Sequence, residues 1–564
     1  MKLKFLSFLA IIGIMVLASC NKSGKTGLLV PEDAAVVFTI NSQSLSEKMT
    51  WDDIQASEWY KDMQKKSTND DTAMAALVAN PEKSGIDIKA GFAFFMKPQN
   101  NGGYLVFQGK LKSAADFEAA LKNVKQGISI QKKDDLSYTS LDDDAILTWN
   151  SSRFMFIADA PMNLTNDFRG SGRSTRFGTD SLLTFAKTTY ALSGKKLLDS
   201  DKRFADLVTS KGDLHYWISA EKMYSNSFAG GILSMMKFNS LIEGNISTGT
   251  LSFENGKISL TGEQFYGKEL AKIMDKYNNE GVSADVINRL PSGEALAAGV
   301  YKLSIPMIID IIRLAGADGI ANSYLGKNNL SLEEIAAAFK GDIAFALTGM
   351  EKKTVTSTYD GYDGKPESYT YEKENPKMVF GISVVQDKFN KLYDMFLKEM
   401  GGEKPNDIFV KNEKDWFIVG TDSAAQEAFL AGNNKPNYAD KLKGNNLNFF
   451  VNIPQVIETF RSKNNDSIAN AMTDLSKATW QEFTFNCDYK KSKATYNMEV
   501  LLSDKSVNSL KQLNKYADQM NVLEKKQRAK WETEYPTTID TVIAAPNMPA
   551  PPPSASAIEV KPKK

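Results

Sequence analysis

Apolar and polar positions recur along the chain in patterns that mark out its elements. Tyr104-Leu105-Val106-Phe107 is a short apolar run, and Phe117, Ala120, Leu121 and Val124 follow it beyond Ser113. Spacing of i, i+3, i+4 and i+7 places those four on one face of a helix, so the segment predicts a strand and then an amphipathic helix. The same pattern returns at Met378-Val379-Phe380-Gly381-Ile382, followed by Phe389, Leu392, Tyr393 and Phe396. Ser113 with Asp116, and Asp387 in the second case, are polar residues suited to the first turns of these helices.

Further blocks recur in the same order. Residues 31–38 (PEDAAVVF) stand opposite 291–298 (PSGEALAA), each a proline leading into an apolar strand, and 91–96 (GFAFFM) stand opposite 342–347 (DIAFAL). Residues 154–159 (FMFIAD) correspond to 416–421 (WFIVGT), and 214–220 (LHYWISA) align without gaps on 447–453 (LNFFVNI). A helical stretch and a closing hairpin follow each copy of the last block. Asn255-Gly256 is a two-residue hairpin turn in the first copy, and residues 490–493 close the second. The second copy is longer before its helix, where 354–372 (TVTSTYDGYDGKPESYTYE) predicts a protruding hairpin. The first copy is longer between 159 and 214, where 169–178 (RGSGRSTRFG) predicts a mobile loop.

The expected class is α+β, with two tandem similar halves, each an antiparallel sheet with packed helices. The halves form either two beads or one extended pseudo-twofold unit. The expected boundaries are a signal peptide at 1–20, a tether at 21–27, a first α+β repeat at 28–285, a second at 286–522, and a charged, Pro-rich, disordered tail at 523–564.

The two ends are not core-forming. Residues 1–20 read MKLKFLSFLAIIGIMVLASC: Lys2 and Lys4, then an apolar stretch, then small residues before Cys20. The apolar stretch is too short for a stable span and reads as an export signal. Its end resembles the lipobox of bacterial lipoproteins, which implies cleavage before Cys20 and lipid attachment to it. Acyl chains hold a protein at a membrane with ~0.8 kcal/mol per buried CH₂. At the far end, Pro551-Pro552-Pro553 and the terminal KPKK suit a spacer, and residues 524–530 (EKKQRAK) suit a solvated helical face.

Composition narrows the chemistry. The 564 residues carry 68 Lys+Arg against 68 Asp+Glu, so no surplus of positive charge is available for nucleic acid. One His and two Cys leave too few ligands for a zinc site or thiol relay, and no cofactor or metal is expected. His215 is the sole candidate for imidazole chemistry, but it lies in an apolar strand and its counterpart is Asn448. Cys487, set beside Phe253 of the first copy, suits a buried strand thiol. Ser219 with Lys222 and Ser234 with Lys237 match the S-x-x-K pattern of penicillin-recognising serine enzymes, a short pattern that arises often by chance. Lys25-Thr26-Gly27, which looks like a companion motif, sits on the tether.

Asp134, Asp135, Asp142, Asp143 and Asp144 read as hairpin tips and lack calcium-loop alternation. Tyr359, Tyr362, Tyr369 and Tyr371, with Asp360 and Asp363, read as cross-strand pairs on the hairpin, with sugar stacking as the other use. Trp51, Trp59 and Tyr60 have a spacing that lets the two tryptophans share a helix face in core packing.

The lipobox, the opening VPEDAAVVFTINSQSLSEKM (residues 30–49) and the segment around Trp51 to Met63 together resemble a family of uncharacterised Bacteroidota lipoproteins, classed as a domain of unknown function. The resemblance implies a Gram-negative envelope and supplies no catalytic residues. Acidic residues after the lipidated Cys accompany surface export in that phylum. Here 21–25 (NKSGK) is basic, which implies an outer-membrane lipoprotein facing the periplasm. The expected role is non-catalytic binding or scaffolding, with the membrane and an envelope protein or peptidoglycan as partners. The alternative is an envelope hydrolase using carboxylates or a Ser/Lys pair.

Overall fold

The computed structural model describes residues 27–69, 83–99, 102–124, 128–160, 176–224, 237–277, 281–360, 365–399, 408–461, 466–490 and 492–534. Residues 1–26, with the expected signal and Cys20, lie outside the described residues, as do Ser234, Tyr362, Asp363, the Pro-rich end and most of 169–178. Among the described residues eighteen strands form one sheet. In the first half these are β1 (Val36–Ile40), β2 (Phe92–Gln99), β3 (Gly102–Lys110), β4 (Gln131–Lys133), β5 (Leu136–Asp142), β6 (Ala145–Trp149), β7 (Arg153–Asp159), β8 (Leu214–Ser219), β9 (Ile246–Glu254) and β10 (Lys257–Phe265). The second half supplies β11 (Ala297–Lys302), β12 (Phe339–Asp360), β13 (Pro366–Val384), β14 (Phe409–Glu413), β15 (Trp416–Gly420), β16 (Leu447–Asn452), β17 (Trp480–Lys490) and β18 (Lys493–Leu502).

Every ladder is antiparallel. From the middle outward the first half runs β10-β9-β8-β1-β2-β3-β7-β6-β5-β4. The second runs β18-β17-β16-β11-β12-β13-β15-β14. The matching sequence blocks therefore occupy the same places in the two pairing orders. The halves meet where β10 lies on β18, in unbroken register from Lys257 opposite Leu501 to Phe265 opposite Lys493. The sheet is continuous across this seam, so the alternative of two separate beads does not describe it. The Asn255-Gly256 turn falls as expected, with Gly256 at φ 62°, a left-handed conformation that glycine adopts without strain. The long hairpin is also present, with Thr354 directly opposite Glu372.

Alternation sorts the side chains onto two faces. One face carries two cores. In the first, Val37, Phe95, Val106, Ile157 and Trp217 pack on Leu182, Leu183, Phe204 and Val208 from helices Thr179–Tyr190 and Lys202–Thr209. In the second, Ala298, Val300, Ala344, Val379, Ile418 and Phe450 pack on Val286, Ile287, Phe429 and Leu430. On the opposite face, Phe92, Phe107, Trp149 and Phe154 meet Leu45, Ile54, Phe117 and Leu121. Phe117 and Leu121 belong to helix Ala114–Val124, where Ser113 Oγ accepts the Asp116 N–H at 3.1 Å. In helix Gln386–Glu399, Phe389 is buried and Leu392 and Tyr393 pack beside it, while Phe396 reaches solvent.

Two expectations need correction. Trp51 and Trp59 do not share one helix: Ser57 is extended (φ −74°, ψ 144°) and separates helices Trp51–Ala56 and Glu58–Asn69. Trp51 still packs edge-on to Tyr60, and Trp59 Nε1 donates to Asn514 Oδ1 at 2.8 Å. The boundary at 522 falls inside helix Ser509–Glu534. Residues 523–534 are thus helical and make contacts: Lys525 pairs with Asp62 at 2.5 Å, and Gln527 and Lys530 donate to Asp466 at 3.2 Å. This helix carries the end of the second half onto the first.

Asp466 also caps helix Ser467–Thr479, accepting from the Ile468 and Ala469 N–H groups. The Gln527 hydrogen bond, those two backbone donors and Lys530 lower its carboxyl from the ordinary 3.8 to about 2. A depressed folded-state pKa contributes stability above the unfolded value and loses it as pH falls through the folded one. Thermal unfolding should therefore show wild type losing stability between about pH 4 and pH 2 by more than Asp466→Asn does.

A buried carboxylate sets the entry of β8. Asp213 is fully buried, accepts from Ser44 Oγ and the Phe253 N–H at 2.6 Å each, and pairs with Lys48 at 2.6 Å. At the corresponding place before β16, buried Asn446 accepts the Tyr489 N–H at 2.9 Å. Removing one member of a buried ion pair costs about 3–5 kcal/mol, and removing a neutral buried acceptor about 1–3 kcal/mol. Urea unfolding should accordingly show Asp213→Ala more destabilised than Asn446→Ala.

Candidate binding groove at the sheet seam

Between the two cores the same face of the sheet turns polar. Each step across it is a pair in register: His215 opposite Thr250, Thr250 opposite Thr261, Thr261 opposite Asn497, Asn497 opposite Asn486, and Asn486 opposite Asn448. One polar row thus crosses β8, β9, β10, β18, β17 and β16. Its ends are the residues that occupy equivalent positions in the two sequence blocks. Both ends are buried: His215 Nδ1 bonds Thr250 Oγ1 at 3.0 Å, and Asn448 Nδ2 donates to the Asn445 carbonyl at 3.0 Å. The middle of the row is open and floors a groove of about 710 Å³.

Helix Lys202–Thr209 forms one wall through Arg203, Asp206 and Leu207. Asp201 Oδ2 accepts from Arg203 at 2.7 Å, and the guanidinium lies over the Trp217 and Phe265 rings at 5.6 and 5.2 Å. Burial pushes the Asp201 carboxyl up, but the hydrogen bonds and charge of Arg203 outweigh it and hold the group below the carboxylate range. Glu263 pairs with Lys493 and Asp206 with Lys202. The reverse face of the floor is closed by two rings. Gly249 stands opposite Gly262, and a Cβ on either would come within 2.3 Å of Tyr216 or Tyr496, whose hydroxyls meet.

The sequence candidates lie elsewhere or serve structure. Ser219 Oγ accepts the Lys222 N–H at 3.4 Å, while Lys222 Nζ donates to the Glu32 carbonyl. This arrangement does not present the amine as a base for Ser219. Asp134 pairs with Lys187, and Asp144 with Arg176. Among the described residues no three His, Cys, Asp or Glu side chains are grouped to hold a metal. Tyr359, Tyr369 and Tyr371 pack against each other on the exposed hairpin, with centroids 6.0 and 5.5 Å apart. Tyr359 also donates to Glu367 at 2.6 Å.

Cys487 is a free, buried thiol whose pKa is raised by burial. Pairing corrects its position. Leu447 faces Cys487 as Leu214 faces Leu251, so Cys487 matches Leu251, and Tyr489 takes the place of Phe253. Sequence reasoning missed Thr250, Thr261, Asn486 and Asn497. Polar alternation in both closing hairpins was the available signal, but nothing in it said that the hairpins lie side by side. Among the described residues no helix is long and apolar enough to cross a membrane.

The chain belongs to the family described as a domain of unknown function, DUF4836, whose model matches residues 27–358. No curated protein matches it. Among solved structures, crystal form III of TP0453 is similar at 11% identity over 48% of this chain and 88% of that chain, with a TM-score of 0.23. Crystal form IV of TP0453 gives 12%, 45%, 79% and 0.22.

A thiolate, not a thiol, is the nucleophile, so a buried thiol with a raised pKa reacts slowly. In a Cys20→Ser protein at neutral pH, Cys487 should resist a thiol reagent while folded and titrate fully once denatured. Rapid labelling of the folded protein would contradict this placement.

Proposed function

We propose that the protein is a membrane-anchored envelope lipoprotein with a non-catalytic binding role, and that the seam groove is where it meets its partner. The polar row is the observation that carries this reading. Thr250 and Thr261 come from one half and Asn497 and Asn486 from the other, so the floor exists only where the halves join. Concave sites with convergent polar groups are the usual seats of ligand recognition, and the volume lies within the ~300–1,000 Å³ of such sites.

Carboxyl chemistry favours binding over hydrolysis. A general acid working near neutrality needs a raised pKa. Asp201, beside the groove, is instead lowered by Arg203. Glu263 and Asp206 are tied to lysines.

The address rests on the sequence. Lys2, Lys4, the apolar stretch and Leu17-Ala18-Ser19-Cys20 support cleavage before Cys20 and lipid attachment there. The basic 21–25 stretch supports a periplasm-facing position on the outer membrane of a Bacteroidota cell. Peptidoglycan and other envelope proteins are the partners within reach of such a tether.

Fractionation with metabolic lipid labelling tests the anchor: wild type should be labelled and membrane-bound, and Cys20→Ala should lose both properties. Crosslinking in intact envelopes tests the groove. Wild type should yield an adduct that Thr261→Arg, which places a long charged side chain on the open floor, reduces several-fold. An unlabelled wild type would overturn the anchor. Identical adducts in both proteins, or none in either, would overturn the groove as the binding site.

A further inference from the structure

We infer that the seam groove takes a neutral, polyhydroxylated chain: a glycan presenting uncharged hydroxyl groups. This rests on the reading of the groove as a binding site and adds its ligand class.

Each charge that lines the groove is paired with a neighbour outside it. Arg203 is held by Asp201, Glu263 by Lys493 and Asp206 by Lys202. A charged ligand would have to compete with these pairs. What the floor offers instead is neutral. Thr248, Thr261, Thr495, Asn486 and Asn497 all line the groove, Thr248 as a buried residue and the other four reaching solvent. Their registers place them on two adjacent rungs of one face: Thr261, Asn497 and Asn486 on one, Thr248 and Thr495 flanking Glu263 on the next. Among the described residues none of the five has a side-chain hydrogen-bond partner, whereas His215 and Asn448 at the row's ends do.

Threonine hydroxyls and asparagine amides each both donate and accept. Hydroxyl groups, which also do both, are their natural complement. Strands lie ~4.8 Å apart, so Thr261, Asn497 and Asn486 span ~10 Å, enough to meet successive hydroxyls of an extended chain. Leu207 and Phe265 add apolar surface at the wall.

Backbone pairing argues against a peptide. β9, β10, β18 and β17 are each bonded on both sides, so the groove has no open strand edge to which an extended peptide could add. A docked amphipathic helix would need an apolar floor, and this floor is threonine and asparagine.

The test is calorimetric titration of the full-length protein in detergent with four probes: chitotetraose, cellotetraose, heparin and palmitate. Saturable binding of at least one of the two neutral oligosaccharides is expected. Its affinity should change less than about twofold between about 50 and about 500 mM salt, because screening acts on charge contacts that the ligand does not make. Asn486→Ala with Asn497→Ala should weaken it at least about tenfold. Thr261→Val, which keeps the shape and removes one exposed hydroxyl, serves if the double variant unfolds, and should also weaken it.

Binding of heparin alone with steep salt dependence, or of palmitate alone, weakened by the same substitutions, would overturn the glycan class and leave the groove as a binding site. Oligosaccharide binding unaffected by every groove substitution would overturn the assignment of glycan to this groove. Failure of all four probes would overturn the glycan class, and crosslinked adducts indifferent to Thr261→Arg would overturn the binding reading as well.

Discussion

The pairing of β10 with β18 is the constraint on which the rest of the molecule depends. Nine residue pairs from Lys257–Leu501 to Phe265–Lys493 bring together the last strands of the two halves. Without that ladder each half would end in an exposed edge, with a row of unpaired backbone groups open to other chains. With it, the sheet is continuous from β4 to β14, and the pairing order reads outward alike on both sides. Helix Ser509–Glu534 strengthens the joint by reaching back to Asp62 and Asn514-bonded Trp59.

The seam also decides which face can act. On one face the cores of both halves sit away from the middle, one beneath Trp217 and Phe204, the other beneath Phe450 and Phe429. The four strands between them carry threonine, asparagine and paired charges there, so an apolar layer cannot continue and a groove is left. On the reverse face the same strands carry the half-buried Leu251, Leu260, Met498 and Val500, and Tyr216 and Tyr496 fill the gap over Gly249 and Gly262. Strict alternation supplies both results: shifting β10 or β18 by one residue would put Leu260 or Met498 in the groove and Thr261 or Asn497 on the reverse face.

Much of the fold was legible because its signals are local. The i, i+3, i+4, i+7 spacing of Phe117 and Leu121 marked a helix whose buried face is as expected, and Asn255-Gly256 marked the hairpin that joins β9 and β10. Order and spacing of the blocks placed β1, β2, β3 and β8 against β11, β12, β13 and β16. The break at Ser57 was hidden because a capping box, Thr50 with Asp53, starts one short helix and a second begins almost at once. The helical character of 524–530 was legible, but its contacts were not, because a charge run reads as solvated whether or not its other side finds Asp62 and Asp466. The groove was out of reach for a different reason. Its two sides are far apart in sequence, and alternation states which residues share a face without stating which strands are neighbours.

Amide hydrogen exchange of the full-length protein across β10 and β18 reads out whether the two halves share one sheet. In a single sheet the paired N–H groups of Lys257–Phe265 and Lys493–Leu502 exchange as slowly as those of β1 and β11, which are inner strands of each half, and are lost together with them. Exchange in β10 and β18 at the rate of a free strand edge, with β1 and β11 still protected, would contradict a single sheet joined at this seam.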